Sequence, residues 1–199
     1  WIPQIYGVVR SIEAVQKELP VLGVETTMVS PEQFTAMPAP FYPEIRLALF
    51  PKRALSQVFD NSVEPDFIHI ATEGPLGYAA ASLCRARGWR FSTSNLTNFS
   101  AYADQYFGVG SSLVPPYLKR FHRSSACVMV YTGTQKQMLL SWGLSNVQVW
   151  PPGVDTDLFR ATDSAIQAVD TPVFVYLGRL AKEKNINFIL VSLRALRGS

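Results

Sequence analysis

Short β-rich runs alternate with helical segments along most of this chain, and that alternation restricts the possible folds more than any other feature. Val24–Ser30, Ile45–Leu49, Asp66–Ala71, Trp89–Ser94, Cys127–Thr132 and Val147–Trp150 read as strands. Val8–Leu19, Pro51–Val63, Pro75–Arg87, Pro116–Ser125 and Thr134–Trp142 read as helices. In the first helix Ile12, Val15 and Leu19 recur at helical spacing, while Arg10, Glu13 and Lys17 point elsewhere. Pro51 and Pro75 sit where a first helical turn tolerates a missing N–H. Gly88 and Gly143 follow helices, where a left-handed cap is wanted. Strand alternating with helix gives parallel βαβ units, so the expected fold is α/β with a Rossmann-like, doubly wound parallel sheet. Phe67–Ile70 and Val128–Val130 are nearly all apolar, as strands covered on both faces should be.

The texture changes over Pro151–Pro172 to Pro-Pro-Gly, scattered acids and small residues, which reads as an interdomain linker. Val173–Leu177 then reads as another buried strand, followed by a Gly-Arg turn and a helix from Lys184 onward. The expected organisation is one Rossmann-like domain over residues 1–150, a linker over 151–172, and the first βα unit of a second Rossmann-like domain over 173–199. Trp1 stands where an initiator Met would be, and the last helix runs up to Ser199, so the chain reads as a piece of a longer protein.

Composition narrows the class further. Hydrophobic residues make up 48% and charged residues 17%, which suits a well-buried protein and excludes a disordered one. The longest uncharged apolar stretch, Gly77–Cys84, is far short of the ~20 residues that a spanning helix needs. No charged segment followed by an apolar core opens the chain as a secretory signal would. Cys84 and Cys127, with His69 and His122, make neither a disulfide scaffold nor a recognisable metal site. Both cysteines read as small core residues in a reducing, cytoplasmic setting. The net charge of +3 is uneven, because Arg85–Lys136 holds seven bases and the single acid Asp104. That segment is either two solvated helix ends or a basic face toward anionic lipid headgroups. No nucleic-acid motif or interleaved aromatics accompany it.

Ligands of open α/β sheets bind beyond the carboxyl ends of the strands, which singles out Pro3–Val9, Thr72–Gly77, Ser92–Phe99 and Gly178–Asn185. Gly7 opens a helix whose N–H groups could approach a phosphate with no Cβ in the way. Arg179 at a strand end and Lys184 at the next helix start suit a diphosphate, one as a bidentate clamp and the other as a point charge. His69, inside an apolar strand, reads as a satisfied core histidine. Glu73, at a strand end before a helix, can cap that helix or bind a sugar hydroxyl. Gly108-Val-Gly110 lacks a third glycine, and there is no phosphate-binding Gly-x-x-x-x-Gly-Lys loop and no Gly-x-Ser-x-Gly elbow, against P-loop enzymes and common hydrolases.

Together, Pro3–Arg10, Tyr42–Leu47, Ile68–Gly77, Gly153–Phe159 and Gly178–Asn185 resemble family 4 glycosyltransferases, most of all a subgroup of lipid mannosyl- and sulfoquinovosyl-transferases. The resemblance implies the GT-B fold, two Rossmann-like domains with the active site in the cleft between them. It implies a hexosyltransferase with a GDP- or UDP-linked sugar as donor, a lipid or glycan acceptor, retention of anomeric configuration, and no cofactor or metal. It makes Gly7, Arg179 and Lys184 the holders of the donor diphosphate, with Glu73, Asn98 and Tyr102 as candidates for sugar or acceptor contacts. It also implies a cytoplasmic protein, peripheral on the inner face of a membrane where its acceptor is a lipid. The chain departs from the family at Tyr6, where Asn usually precedes the glycine. It departs again at Ser94–Phe99, where Leu96 replaces the histidine that normally faces the transferred sugar, so no catalytic residue is assignable. That replacement leaves a non-catalytic sugar- or nucleotide-binding protein as the alternative. The first strand is almost wholly missing from the sequence, as is most of the second domain with its paired-glutamate motif, so the piece alone is expected to be inactive.

Overall fold

The computed structural model describes residues 7–39, 42–96, 114–160, 174–178, 180 and 184–197. Its elements are α1 (Gly7–Glu18), β1 (Ala36–Ala39), β2 (Tyr42–Ala48), α2 (Lys52–Asp60), β3 (Ile68–Ile70) and α3 (Pro75–Arg87). They continue with β4 (Phe91–Asn95), α4 (Val114–His122), β5 (Cys127–Val130), α5 (Gly133–Ser141), β6 (Val147–Val149) and α6 (Ile186–Arg197). The chain divides into two compact units, Trp1–Asp155 and Thr156–Ser199.

In the first unit, four strands form a parallel sheet in the order β3-β4-β5-β6. Each crossover moves one place in the same direction, and right-handed crossovers then put their helices on one face. The packing agrees. Ile70, Ala81, Cys84, Phe91 and Phe121 form one buried cluster, which joins α3 and α4 to β3 and β4. Val128, Val130, Leu139, Leu144 and Val147 form another, which joins α5 to β5 and β6. By strand alternation the opposite face carries His69, Ser92, Ser94, Cys127 and Met129. α2 packs behind α3, through Leu55, Ala79 and Leu83.

Local chemistry sets the helix ends. Pro75 opens α3, and Gly88 closes it at φ 68°, with the Trp89 N–H returning to the Cys84 carbonyl at 2.9 Å. α5 starts on a reciprocal capping box, in which Thr132 Oγ1 accepts from the Gln135 N–H and Gln135 Oε1 from the Thr132 N–H, both at 3.2 Å. No helix among the described residues is long and apolar enough to cross a membrane.

Several expectations fail. Val24–Ser30 is not a strand: among the described residues no other strand lies beside it to complete a ladder. Ile45–Leu49 does fall largely in a strand, β2, but β2 pairs antiparallel with β1 in a separate two-stranded sheet. Only two residues link β1 to β2, too few for the crossover that a parallel pair needs. Cys84 is buried as expected, whereas Cys127, on the sheet face that α3, α4 and α5 do not cover, is half-buried. His69 has satisfied ring nitrogens, yet the residue is exposed on β3, the outer strand of the four described, and is not a core histidine.

The second unit contains α6, preceded by Lys184 in a short helical turn and by Asn185 in the left-handed region at φ 48°. The expected strand at Val173–Leu177 does not appear over its described residues, 174–177. Phe174, Val175 and Leu177 are exposed and find no ladder partner in that unit among the described residues.

Candidate functional site

β3 ends at Ile70, and Thr72–Gly74 leads directly into α3. A Cβ on Gly77 would fall 1.9 Å from the Thr72 carbonyl oxygen and 3.1 Å from Ile70 Cγ2. Glycine there lets the helix begin against the strand, and so fixes where Glu73 emerges. Glu73 is only 4% exposed. Its Oε1 accepts from Asn95 Nδ2 at 2.8 Å and from His122 Nε2 at 3.2 Å. An ionised carboxylate only accepts, which puts a proton on His122 Nε2. His122 Nδ1 faces Thr93 Oγ1 at 2.8 Å, and Thr93 Oγ1 donates to Ser125 Oγ at 3.1 Å. Ser125 Oγ returns to the His122 carbonyl at 2.8 Å. One strand, a helix and a loop thus hold the carboxylate in place.

β4 is the spine of this arrangement. Phe91 through Asn95 are all buried, and four of the five are polar, against the apolar norm for a central parallel strand. Each polar side chain has a partner. Thr93 and Asn95 serve the Glu73 network on one face. On the other, Ser92 Oγ meets His69 Nδ1 at 2.6 Å and Ser94 Oγ meets His69 Nε2 at 2.8 Å. Packing of the His69 ring against β4 lowers its pKa from the usual 6.5 and favours the neutral imidazole. Among the described residues Asn95 Oδ1, like Tyr131 Oη, is a buried oxygen without a hydrogen-bond partner. It lies at the carboxyl end of β4, where such folds receive ligands.

Tyr117 of α4 steadies the shelf from above. Its Oη donates to the Glu73 carbonyl at 2.5 Å, and its ring stacks on Tyr78 at 5.6 Å. Burial, and then the charges of Glu73 and Tyr78, push its phenol up to about 12.

The candidates taken from the sequence are distributed as follows. Glu73 neither caps α3, whose N-cap is Gly74, nor stands open; it is held by Asn95 and His122. Leu96 follows β4 directly and is half-buried. Gly7 is the exposed first residue of α1, with its carbonyl accepting from Ser11 Oγ at 2.9 Å. Among the described residues nothing lies within 4 Å of where a Gly7 Cβ would stand. Lys184 is exposed in the second unit. Arg179, Asn98, Tyr102, Tyr6 and Gly108–Gly110 lie outside the described residues. Asn95, His122 and Tyr117 were not anticipated. The available signal was the polar run Ser92–Asn95 inside a strand, since buried polar groups must find partners. Among the described residues no group of three or more His, Cys, Asp and Glu is placed to hold a metal ion.

Comparison with known proteins gives this geometry a family. The model of Glycosyltransferase Family 4 matches residues 5–158, which include both sheets and the whole Glu73 network. A GDP-mannose-dependent alpha-mannosyltransferase of Mycolicibacterium smegmatis is 22% identical over 214 aligned residues, covering 96% of this chain and 57% of that protein. A protein of the same name from Mycobacterium tuberculosis is 22% identical over 212, covering 94% and 56%. The chain therefore spans little more than half the length of these relatives. No solved structure gives a significant match. On the family match across most of its length, the chain belongs to glycosyltransferase family 4.

Proposed function

We propose that the complete protein transfers a hexosyl group from a nucleotide-diphosphate sugar to a lipid or glycan acceptor, with retention of anomeric configuration and without a metal. The family match across residues 5–158 carries this reading. Both relatives bear names specifying GDP-mannose, which makes GDP-mannose the first donor to try and UDP-sugars the second. The N–H groups opening α1 at Gly7, with Arg179 and Lys184, hold the diphosphate and stabilise the charge that develops as it leaves. Glu73 shapes the sugar or acceptor side from its fixed position, together with Asn98 and Tyr102. Asn95 Oδ1, without a partner among the described residues, offers an acceptor for a substrate hydroxyl. A lipid acceptor would place the protein on the inner face of a membrane, in the cytoplasm.

Leu96 supports a second reading, a protein that binds nucleotide or sugar without transferring it. Leucine cannot donate the hydrogen bond that a histidine would give the transferred sugar, and losing one such contact costs about 10²–10³ in rate. The test is product formation by the full-length protein with GDP-mannose and several UDP-sugars, followed by mass spectrometry. Weak transfer that rises in Leu96→His, and fails with weakened nucleotide binding in Arg179→Ala and Lys184→Ala, supports the transferase. Nucleotide binding with no transfer by either the wild type or Leu96→His selects the second reading. Nucleotide affinity unchanged in both alanine variants removes Arg179 and Lys184 from the site.

A further inference from the structure

Seven bases crowd the segment Arg85–Lys136, and the fold treats them differently. Arg87 is neutralised: its guanidinium donates to Asp60 Oδ1 at 2.6 Å and lies over the Trp89 ring at 4.8 Å. Arg85, in the last turn of α3, and Arg120 and Arg123, at the end of α4 and just beyond it, converge with Ser124 on a polar pocket of about 60 Å³. No ion pair with a carboxylate is found for any of the three among the described residues. Arg120 is held in place, since its Nε donates to Tyr78 Oη at 3.2 Å and Tyr78 stacks on Tyr117.

The three arginines are exposed around a small surface hollow, and an anion seated there would relieve their mutual repulsion. A helix C-terminus welcomes one cation, but that effect fades within a turn and gives no reason for three side chains to share a single hollow. The cavity has room for a small oxyanion and not for a sugar or a base. Guanidinium forks match pairs of phosphate oxygens, and the Ser124 hydroxyl adds a neutral donor. We propose that the pocket between α3 and α4 is a phosphate-binding site, taking either inorganic phosphate or the phosphate of a lipid headgroup. Its lining residues do not bond the Glu73 carboxylate, and Arg120 reaches that shelf through Tyr78 and Tyr117.

The experiment uses the whole chain, in wild type, in Arg85→Gln/Arg123→Gln, and in Arg90→Gln/Lys136→Gln, which removes the same charge outside the pocket. All three are titrated with inorganic phosphate by calorimetry and sedimented with phosphatidylglycerol or phosphatidylcholine vesicles at low salt. Saturable phosphate binding weakened at least about tenfold in the pocket variant alone supports a free-phosphate site. Sedimentation with phosphatidylglycerol, competed by phosphate and lost in the pocket variant alone, supports a headgroup site. Binding of neither probe by the wild type overturns the proposal, as does equal loss in the two variants, which would mean diffuse charge.

Discussion

His122→Phe is the most direct perturbation of the buried network. The ring is 0% exposed, so the change takes place wholly in the interior. It removes a hydrogen bond to the Glu73 carboxylate, worth about 1.5–3 kcal/mol, and one to the Thr93 hydroxyl, worth about 1 kcal/mol. Thr93 keeps its bond to Ser125, and Glu73 keeps Asn95, so neither is left wholly unpaired. The expected loss of stability is about 2.5–4 kcal/mol. Glu73→Leu acts from the other side and strands two buried donors, His122 Nε2 and Asn95 Nδ2, at about 1–3 kcal/mol each. In the double variant the His122 donor is gone together with its acceptor, so the two costs do not add. The combined loss should fall short of their sum by about 1.5–3 kcal/mol, the size of a coupled buried pair. Urea unfolding of all four proteins, followed by tryptophan fluorescence, gives the cycle. Additivity within about 0.5 kcal/mol would refute the pairing and, with it, the idea that His122 fixes Glu73.

Three further outcomes follow from particular contacts. Gly77→Ala should cost at least about 2 kcal/mol, because its Cβ meets a backbone oxygen at 1.9 Å and outweighs the helix preference for alanine; an unchanged urea midpoint would refute this close approach. Tyr117, raised from 10 to about 12, contributes stability that is intact below pH 10 and declines as pH rises toward 12, since the unfolded chain ionises first. Tyr117→Phe should flatten that alkaline decline in midpoint-versus-pH curves, and an identical decline in both proteins would remove Tyr117 as its cause. A thiol reagent at pH 8 should label Cys127 well before Cys84, which is buried and whose thiol is pushed up to about 11, chiefly by burial. Equal labelling rates, read by peptide mass spectrometry, would contradict the burial difference.

The sequence by itself determined the features that depend on neighbours a few residues away. Pro75 and Gly88 bounded α3 to the residue, since a proline tolerates the first turn and a glycine the left-handed cap. The apolar run around Val128 identified an interior strand, whereas the run around Ile70 formed β3, the outer strand of those described, with Phe67 and His69 exposed; the order of strands and helices identified a parallel α/β sheet. Five ordered motifs pointed to the family. Glu73 stood out from its place between strand and helix, although its partners were invisible there.

Tertiary structure decided what a segment pairs with. Val24–Ser30 and 174–177 have the composition of strands, but a strand exists only through a ladder, and neither has one among the described residues. Ile45–Leu49 found an antiparallel partner because of a two-residue connection and not because of its side chains. The candidate site shows the same division. His122 lies 49 residues from Glu73 along the chain and Asn95 lies 22, so no local pattern links them. What joins them is the cost of burying polar groups without partners, which is settled only when β4 is enclosed between its neighbouring strands and α4.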